Sequence, residues 1–255
     1  MTFPILEVTT RTDKGLVREH NEDAISVLPE CGVVVLADGM GGHNAGEVAS
    51  EMAVQKVSDT LVAGLPHIVD GFSDVQDLLQ QAVTVANQTI FEASEKSTEY
   101  KGMGTTVVVG LFFGDRLLYA HVGDSRLYLL RDFRLIPLTS DHTMLQLLVN
   151  QGAFRSQCDA RAAGISSSKL MRAVGFDIDV TVDSADIKLE PEDVYLFCSD
   201  GLTNMVTDGM IGAVIQESLL DLDCAANLLL ELALKQGGTD NISLVLVRPK
   251  VSILE

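Results

Sequence analysis

Residues 32–50 read GVVVLADGMGGHNAGEVAS. The first part is typical of a β-strand, because β-branched residues fill it and glycine and aspartate bound it. After the glycines, apolar residues recur at spacings of three and four from Val48 to Leu61, which predicts one face of a helix. The stretch therefore predicts a strand that ends near Asp38, a glycine-rich turn and a helix.

Strand and helix patterns also follow each other along the rest of the chain. Short β-branched or apolar runs bounded by Gly, Asp or Pro predict strands, and apolar residues at helical spacing predict helices. The other predicted strands are ILEVTTRT, DAISVLPE, GTTVVVGLFFGD, RLLYAHVGD, SRLYLLRD, RLIPLT, DSADIKL, DVYLFCSDG and NISLVLVRP, and further helices are predicted near residues 75–90, 208–218 and 221–236. Such a succession predicts an α+β fold of packed sheets with helices outside.

The bulk composition is that of an ordinary globular protein, with 255 residues of which 47% are hydrophobic and 21% charged. Because no linker-like or low-complexity tract divides it, residues 1–255 are predicted to form one domain. No secretory pattern or membrane-length apolar run occurs, so we expect a cytoplasmic protein without a membrane partner. The four cysteines are widely spaced, which favours reduced thiols over disulfides.

The formal net charge of -18 argues against a nucleic-acid partner, because binding to a phosphate backbone uses a basic surface. An acidic surplus usually keeps a protein soluble, and it also supplies carboxylates that bind hard cations. The positions of the acidic residues must distinguish these two roles.

Four aspartates follow an apolar run and stand at a tight turn: Asp38 in LADG, Asp124 in HVGDSR, Asp200 in CSDG and Asp240 in GGTDN. Each one alone is readily explained as a turn former that bonds its own backbone. Together, several carboxylates beside apolar strands are costly unless cations neutralise them, which favours a metal site. Oxygen ligands select Mn²⁺ or Mg²⁺, and the sequence has no nitrogen or sulfur pattern that favours zinc.

Two further segments carry candidate site residues. In VREHNEDA, Arg18 precedes Glu22 and Asp23, and a guanidinium beside metal-binding acids suits an anionic, phosphate-containing substrate, although a surface ion pair has the same pattern. In DGMGGHNAGE, glycines allow a backbone carbonyl to approach a cation. His43 in that loop is a candidate proton donor, with a surface or capping role as the alternative.

The motifs REHNEDA, LADGMGGHNAGEVAS, GMGTTVVV, HVGDSRLYLLRD, LTSDHT, FCSDGLTNMV and GGTDNISLVLV occur in this order over nearly the whole chain. They resemble the successive motifs of the bacterial type 2C, metal-dependent protein phosphatases. The resemblance implies a four-layer αββα fold, a central β-sandwich of two mostly antiparallel sheets flanked by helices, with a two-metal centre at one end.

The resemblance also implies roles for individual residues. Asp38 would bridge two cations, Mn²⁺ or Mg²⁺, with the Gly39 carbonyl on one of them and Asp200 and Asp240 on the other. Asp23 would bind through water with Glu22 beside it, Asp124 would hold a third, weaker ion, and Arg18 would bind phosphate. Many eukaryotic members have histidine where this chain has Met40, so His43 or a metal-bound water would supply the proton.

The implied activity is hydrolysis of phosphoserine and phosphothreonine in proteins by water activated between two metal ions. We expect a monomer that opposes a bacterial Ser/Thr kinase. A pseudophosphatase that acts as a regulatory binding module and a two-metal nuclease or phosphodiesterase are the alternatives. The segment 142–176 corresponds to a variable flap, predicted to hold a short helix near residues 145–151 and then a polar loop. Its cations Arg155, Arg161, Lys169 and Arg172 are a hypothetical phosphopeptide-steering cluster.

Overall fold

The structure is a computed structural model that describes residues 3–41, 45–69, 71–165 and 169–250. The strands are β1 (Ile5–Asp13), β2 (Asp23–Leu28), β3 (Val33–Met40), β4 (Gly104–Thr105), β5 (Val107–Phe113), β6 (Arg116–Val122), β7 (Arg126–Arg131), β8 (Arg134–Pro137), β9 (Asp183–Lys188), β10 (Val194–Cys198) and β11 (Ile242–Lys250). The α-helices are α1 (Ala45–Gly64), α2 (Phe72–Lys96), α3 (Met144–Asn150), α4 (Gln157–Ala162), α5 (Asp200–Thr203), α6 (Asp208–Glu217) and α7 (Leu222–Lys235).

The strands form two antiparallel sheets. One sheet has five strands in the order β1-β11-β10-β7-β8. The other has six, in the order β2-β3-β5-β6-β9, with the short β4 paired to the end of β3. Because β3 and β6 both pair antiparallel with β5, they run in the same direction and end at the same edge.

The two sheets pack face to face around a core that contains Leu36, Phe112, Tyr195 and Phe197. Helices α1 and α2 cover the outer face of the six-stranded sheet, and α6 and α7 cover that of the five-stranded sheet. Both faces of β3 are therefore covered, which explains why its run Val33–Ala37 is continuously apolar rather than alternating. This is the predicted sandwich with helices outside. Every helix among the described residues is too short or too polar to span a bilayer.

The flap, residues 142–176, differs in part from the prediction. The short helix forms as α3, but residues 157–162 form the helix α4 where a polar loop is predicted. The Ser156 side chain caps this helix by accepting a hydrogen bond from the Asp159 amide over 3.1 Å, and Ala160 is fully buried. One cap and one buried alanine are too weak a pattern to be recognised in a serine-containing stretch.

Candidate metal centre

The predicted acidic turns meet at one end of the sandwich. In the six-stranded sheet, β3 and β6 run in the same direction, and both end there. In the five-stranded sheet, β10 ends there and β11 begins there, because these two strands pair antiparallel. A cavity of about 220 Å³ opens between them. Its lining residues are Arg18, Glu22, Asp38, Gly39, Met40, Gly41, Thr106, Asp124, Leu170, Asp200 and Asp240.

Asp38 has a firmly fixed backbone. Its amide donates to Thr106 Oγ1 over 3.0 Å, and its carbonyl accepts from the Thr106 amide and from Thr105 Oγ1, each over 2.9 Å. Thr106 Oγ1 also lies 2.6 Å from Ser125 Oγ. Sequence reasoning missed these hydroxyl side chains; the TT pair that follows the glycine of GMGTT is the signal that marks them.

Asp23 lies directly opposite Asp38 in the β2–β3 ladder, one strand away from the cavity. Ser199 Oγ donates a hydrogen bond to its Oδ2 over 2.8 Å, whereas its Oδ1 is buried without a hydrogen-bond partner among the described residues. An orphaned carboxylate oxygen beside other carboxylates fits a site that takes a cation or its water ligand.

Asp200 and Asp240 are held by neighbouring amides. Asn204 Nδ2 donates to Asp200 Oδ2 over 3.0 Å, and the Asn241 amide donates to Asp240 Oδ1 over 2.9 Å. The other oxygen of Asp240 accepts a hydrogen bond of 2.8 Å from the Arg18 guanidinium. Each carboxylate thus keeps acceptor capacity for a further ligand.

The carboxyl groups raise one another's pKa values. Burial raises the pKa of Asp38 well above its ordinary value, and repulsion from Asp23, Asp200 and Asp124 adds to it. Burial, with repulsion from nearby acids, raises the pKa of Asp23 to about 7 and that of Asp124 to about 7. The pKa of Asp200 is raised too, through burial and the charge of Asp240. Divalent cations would relieve this repulsion, and the donor set consists of oxygens alone, so the residues fit Mn²⁺ or Mg²⁺.

Asn241 is a site residue that sequence reasoning missed. Its Oδ1 accepts from the Glu22 amide over 2.8 Å, and its Nδ2 donates to the carbonyls of Lys14 and His20 over 3.0 and 2.8 Å. It therefore fixes the loop that carries Arg18 and Glu22 against the start of β11. The Asn that follows Asp240 in GGTDN is the signal that marks it.

Glycines at three positions allow neighbouring segments of the chain to approach closely around the cavity. A Cβ atom on Gly39 would lie 2.0 Å from the Gly46 carbonyl oxygen, and one on Gly201 would lie 1.9 Å from the Asn241 carbonyl oxygen. A Cβ on Gly46 would lie 2.7 Å from the Glu22 carboxylate carbon. These positions have no room for a side chain.

A family model described as protein phosphatase 2C matches residues 16–218. The chain belongs to the protein phosphatase 2C family. Both the predicted family and the predicted fold are confirmed. The serine/threonine protein phosphatase PstP of Mycobacterium tuberculosis is 39% identical over 94% of this chain, which spans 44% of PstP and so less than half of that relative's length.

Further relatives match along nearly their full length. The serine/threonine phosphatase stp of Listeria monocytogenes is 37% identical, and the match covers 93% of each chain. The solved catalytic domain of PstP, in complex with 2 manganese ions, superposes with a TM-score of 0.82 at 36% identity, over 95% of this chain and 97% of that domain. This chain therefore resembles proteins named as serine/threonine phosphatases, both in sequence and in fold.

The structure brings most predicted site residues to one place. The cavity is lined by Arg18, Glu22, Asp38, Gly39, Asp124, Asp200 and Asp240. Asp23 pairs with Asp38 from the neighbouring strand β2. His43 lies outside the described residues. Of the flap cations, Arg172 is paired with Asp183 over 2.6 Å, whereas Arg155, Arg161 and Lys169 are exposed. The steering hypothesis therefore applies to the three exposed cations.

Proposed function

We propose that this chain is a Mn²⁺- or Mg²⁺-dependent phosphatase that removes phosphate from phosphoserine and phosphothreonine in proteins. The observation that carries the proposal is the convergence of Asp38, Asp124, Asp200 and Asp240 on one cavity that Arg18 also lines. Carboxylates from both sheets with one guanidinium suit a site for cations and a phosphoryl group.

Asp38 and Gly39 would hold the two principal ions together with Asp200 and Asp240, and Asp23 would act through a water molecule. Asp124 would hold a third, weaker ion. The manganese ions of the PstP domain, the oxygen-only donor set and the orphaned Asp23 Oδ1 support this assignment. When bound, two divalent ions lower the pKa of a shared water and neutralise charge on a transferring phosphoryl group.

The chain's own residues orient the substrate. Arg18 has five N–H donors, and the donors beyond its contact with Asp240 are available to phosphoryl oxygens. Glu22 lies beside Arg18. Burial raises the pKa of Glu22, and the positive charge of Arg18 counteracts part of that rise. This arrangement would align the phosphoryl group for in-line attack by water. A proton-donor role for His43 stays a prediction.

Residues 1–255 would act as one phosphatase domain, as a monomer, in the cytoplasm, on proteins phosphorylated by a cognate Ser/Thr kinase. The Listeria relative, which this chain matches over 93% of its length, supports a catalytic unit of this size.

Phosphate release from a phosphothreonine peptide tests the proposal. We expect turnover with Mn²⁺, loss with EDTA, and a loss of at least about 1000-fold for Asp38→Asn, because several kcal/mol of transition-state stabilisation depends on the ions. Turnover that survives EDTA or Asp38→Asn would contradict the metal-dependent mechanism. A parent chain that binds the phosphopeptide without releasing phosphate would favour the pseudophosphatase.

A further inference from the structure

His142 joins the turn that carries Asp124 to the flap. Its backbone amide donates to the Gly123 carbonyl over 2.9 Å, and its ring Nδ1 accepts from the Gly123 amide over 3.1 Å. Both peptide groups that flank Gly123 are therefore bonded to one buried residue. Asp124 follows directly, so the orientation of its backbone depends on these two hydrogen bonds.

The backbone conformation of Gly123 and its close contact with Thr106 restrict the turn to this arrangement. Its φ is 107°, a conformation that favours glycine, and an added Cβ would lie 2.6 Å from the Thr106 methyl carbon. Thr106 in turn holds the Asp38 amide. The turn is thus confined between Thr106 on one side and His142 on the other.

The other side of His142 contacts the far end of the flap. Its carbonyl accepts from the Met171 amide over 2.7 Å, and the next residue, Thr143, forms a β-bridge with Leu170. Leu170 lines the cavity. His142 at the start of the flap therefore contacts Met171 near the flap's other end, and Met171 is the sequence neighbour of the cavity-lining Leu170.

The imidazole has a defined tautomer. Burial, with the neighbouring His121 and Arg172, lowers the pKa of His142 to about 4, so the ring is neutral at pH 7. Since Nδ1 accepts an amide proton, the ring proton is on Nε2, which faces Asp183 Oδ2 at 3.3 Å. Arg172 donates to the other oxygen of Asp183 over 2.6 Å.

These hydrogen bonds argue against a second metal site. Ligand atoms of His121, His142 and Asp183 lie within 4.8 Å of one another, as a cation site requires. However, His142 Nε2 carries a proton and the Arg172 guanidinium lies 3.2 Å from it, where a cation would have to bind. The cluster is therefore a polar support for the turn rather than a metal site.

We propose that His142 is a positioning residue that couples the flap to cation binding at Asp124. The proposal rests on the proposed function, since it concerns the weakest of the ions assigned there. A shift of the flap at Leu170 or Met171 moves His142 and with it the Gly123 peptide groups. By reciprocity, a cation held by Asp124 stabilises the flap, and a displaced flap weakens that cation.

Substitutions at His142 separate its two ring contacts. His142→Asn places an acceptor near the position of Nδ1 and loses the contact with Asp183, whereas His142→Gln places its amide near Nε2 and leaves the Gly123 amide unpaired. His142→Phe keeps the ring volume and loses both. In a calorimetric Mn²⁺ titration we expect the weakest site to lose about 10-fold in affinity for Phe and Gln, and at most about 3-fold for Asn.

Hydrogen exchange and a double variant complete the test. Mn²⁺ should slow amide exchange in residues 143–172 of the parent, and less so in His142→Phe. In an Asp124→Asn background, His142→Phe should cause no further loss of Mn²⁺ affinity, because the residue acts through Asp124. As a control, Asp193→Asn breaks a buried ion pair with Arg131 at the opposite end of β10 and should lower the melting temperature without altering the titration.

Other outcomes overturn the proposal. It is wrong if His142→Phe and His142→Gln leave the weakest Mn²⁺ site unchanged, or if their loss of affinity persists in the Asp124→Asn background. Should His142→Phe fail to fold, the comparison of Asn with Gln decides. A parent chain that binds no Mn²⁺ and releases no phosphate would instead contradict the proposed function itself.

Discussion

The Arg18 guanidinium donates a hydrogen bond of 2.8 Å to Asp240 Oδ2, across 222 residues of sequence. The Arg18 side chain is half exposed, at 50%, so this ion pair contributes little to stability. Its importance is geometric, because it holds the proposed phosphate-binding group beside a proposed metal ligand.

Replacing Arg18 tests this arrangement. We expect Arg18→Ala to lower kcat/KM for a phosphopeptide about 10- to 100-fold, mainly through KM, because hydrogen bonds to a charged substrate are lost. Arg18→Lys should recover part of the loss, since one ammonium cannot replace the planar fork. Arg11→Ala removes a similar pair on β1, with Asp223, and should leave kcat/KM within about 2-fold. Equal losses for the two alanine variants would contradict a specific role for Arg18.

Asn241 offers a second test. In Asn241→Ala the Glu22 amide and the carbonyls of Lys14 and His20 lose their partner, so we expect a loss of about 2–3 kcal/mol in the free energy of unfolding and a lower kcat/KM. Asn241→Asp keeps an acceptor for Glu22 but cannot donate to the two carbonyls, and should also be destabilised. Urea unfolding measures both, and an unchanged midpoint for Asn241→Ala would show that the loop is fixed by other contacts.

Two glycine substitutions form a matched pair. Gly201→Ala would place a Cβ 1.9 Å from the Asn241 carbonyl oxygen, so we expect strong destabilisation, about 3 kcal/mol or more, and loss of Mn²⁺ binding. Gly209 in α6 has open space around it, and Gly209→Ala should stabilise the chain by about 0.5–1 kcal/mol through helix propensity. Thermal unfolding distinguishes them, and similar melting temperatures would refute the steric argument.

The raised pKa of Asp124 predicts how stability depends on pH without metal. Its pKa in the folded chain, about 7, exceeds the ordinary 3.8, so its protonated form favours folding and this advantage is lost as the pH rises through 7. In EDTA, Asp124→Asn should therefore gain on the order of 2–4 kcal/mol relative to the parent between pH 4 and pH 8. Unfolding of both proteins in urea across this range measures the difference, which a flat profile would contradict.

The residues at strand ends could be predicted from the sequence, whereas their supports could not. Asp38 and Asp200 each come at the end of an apolar strand, and Asp240 stands in a glycine-containing turn just before one, a pattern that is local and chemically specific. The pairing of Asp23 with Asp38 depends on the register of two strands, which their patterns leave open. Asn241 and His142 act through a few hydrogen bonds to backbone groups distant in sequence, and no local pattern encodes such contacts.

The position of β11 has a consequence for protein synthesis. Among the described residues this strand is the last in sequence; it lies between β1 and β10 and begins two residues after Asp240. A chain still attached to the ribosome lacks both the partner of β1 and one proposed ligand until residues 240–250 have emerged. A fragment that ends before residue 240 therefore lacks both this strand and this proposed ligand, and we expect it to release no phosphate in the phosphopeptide assay.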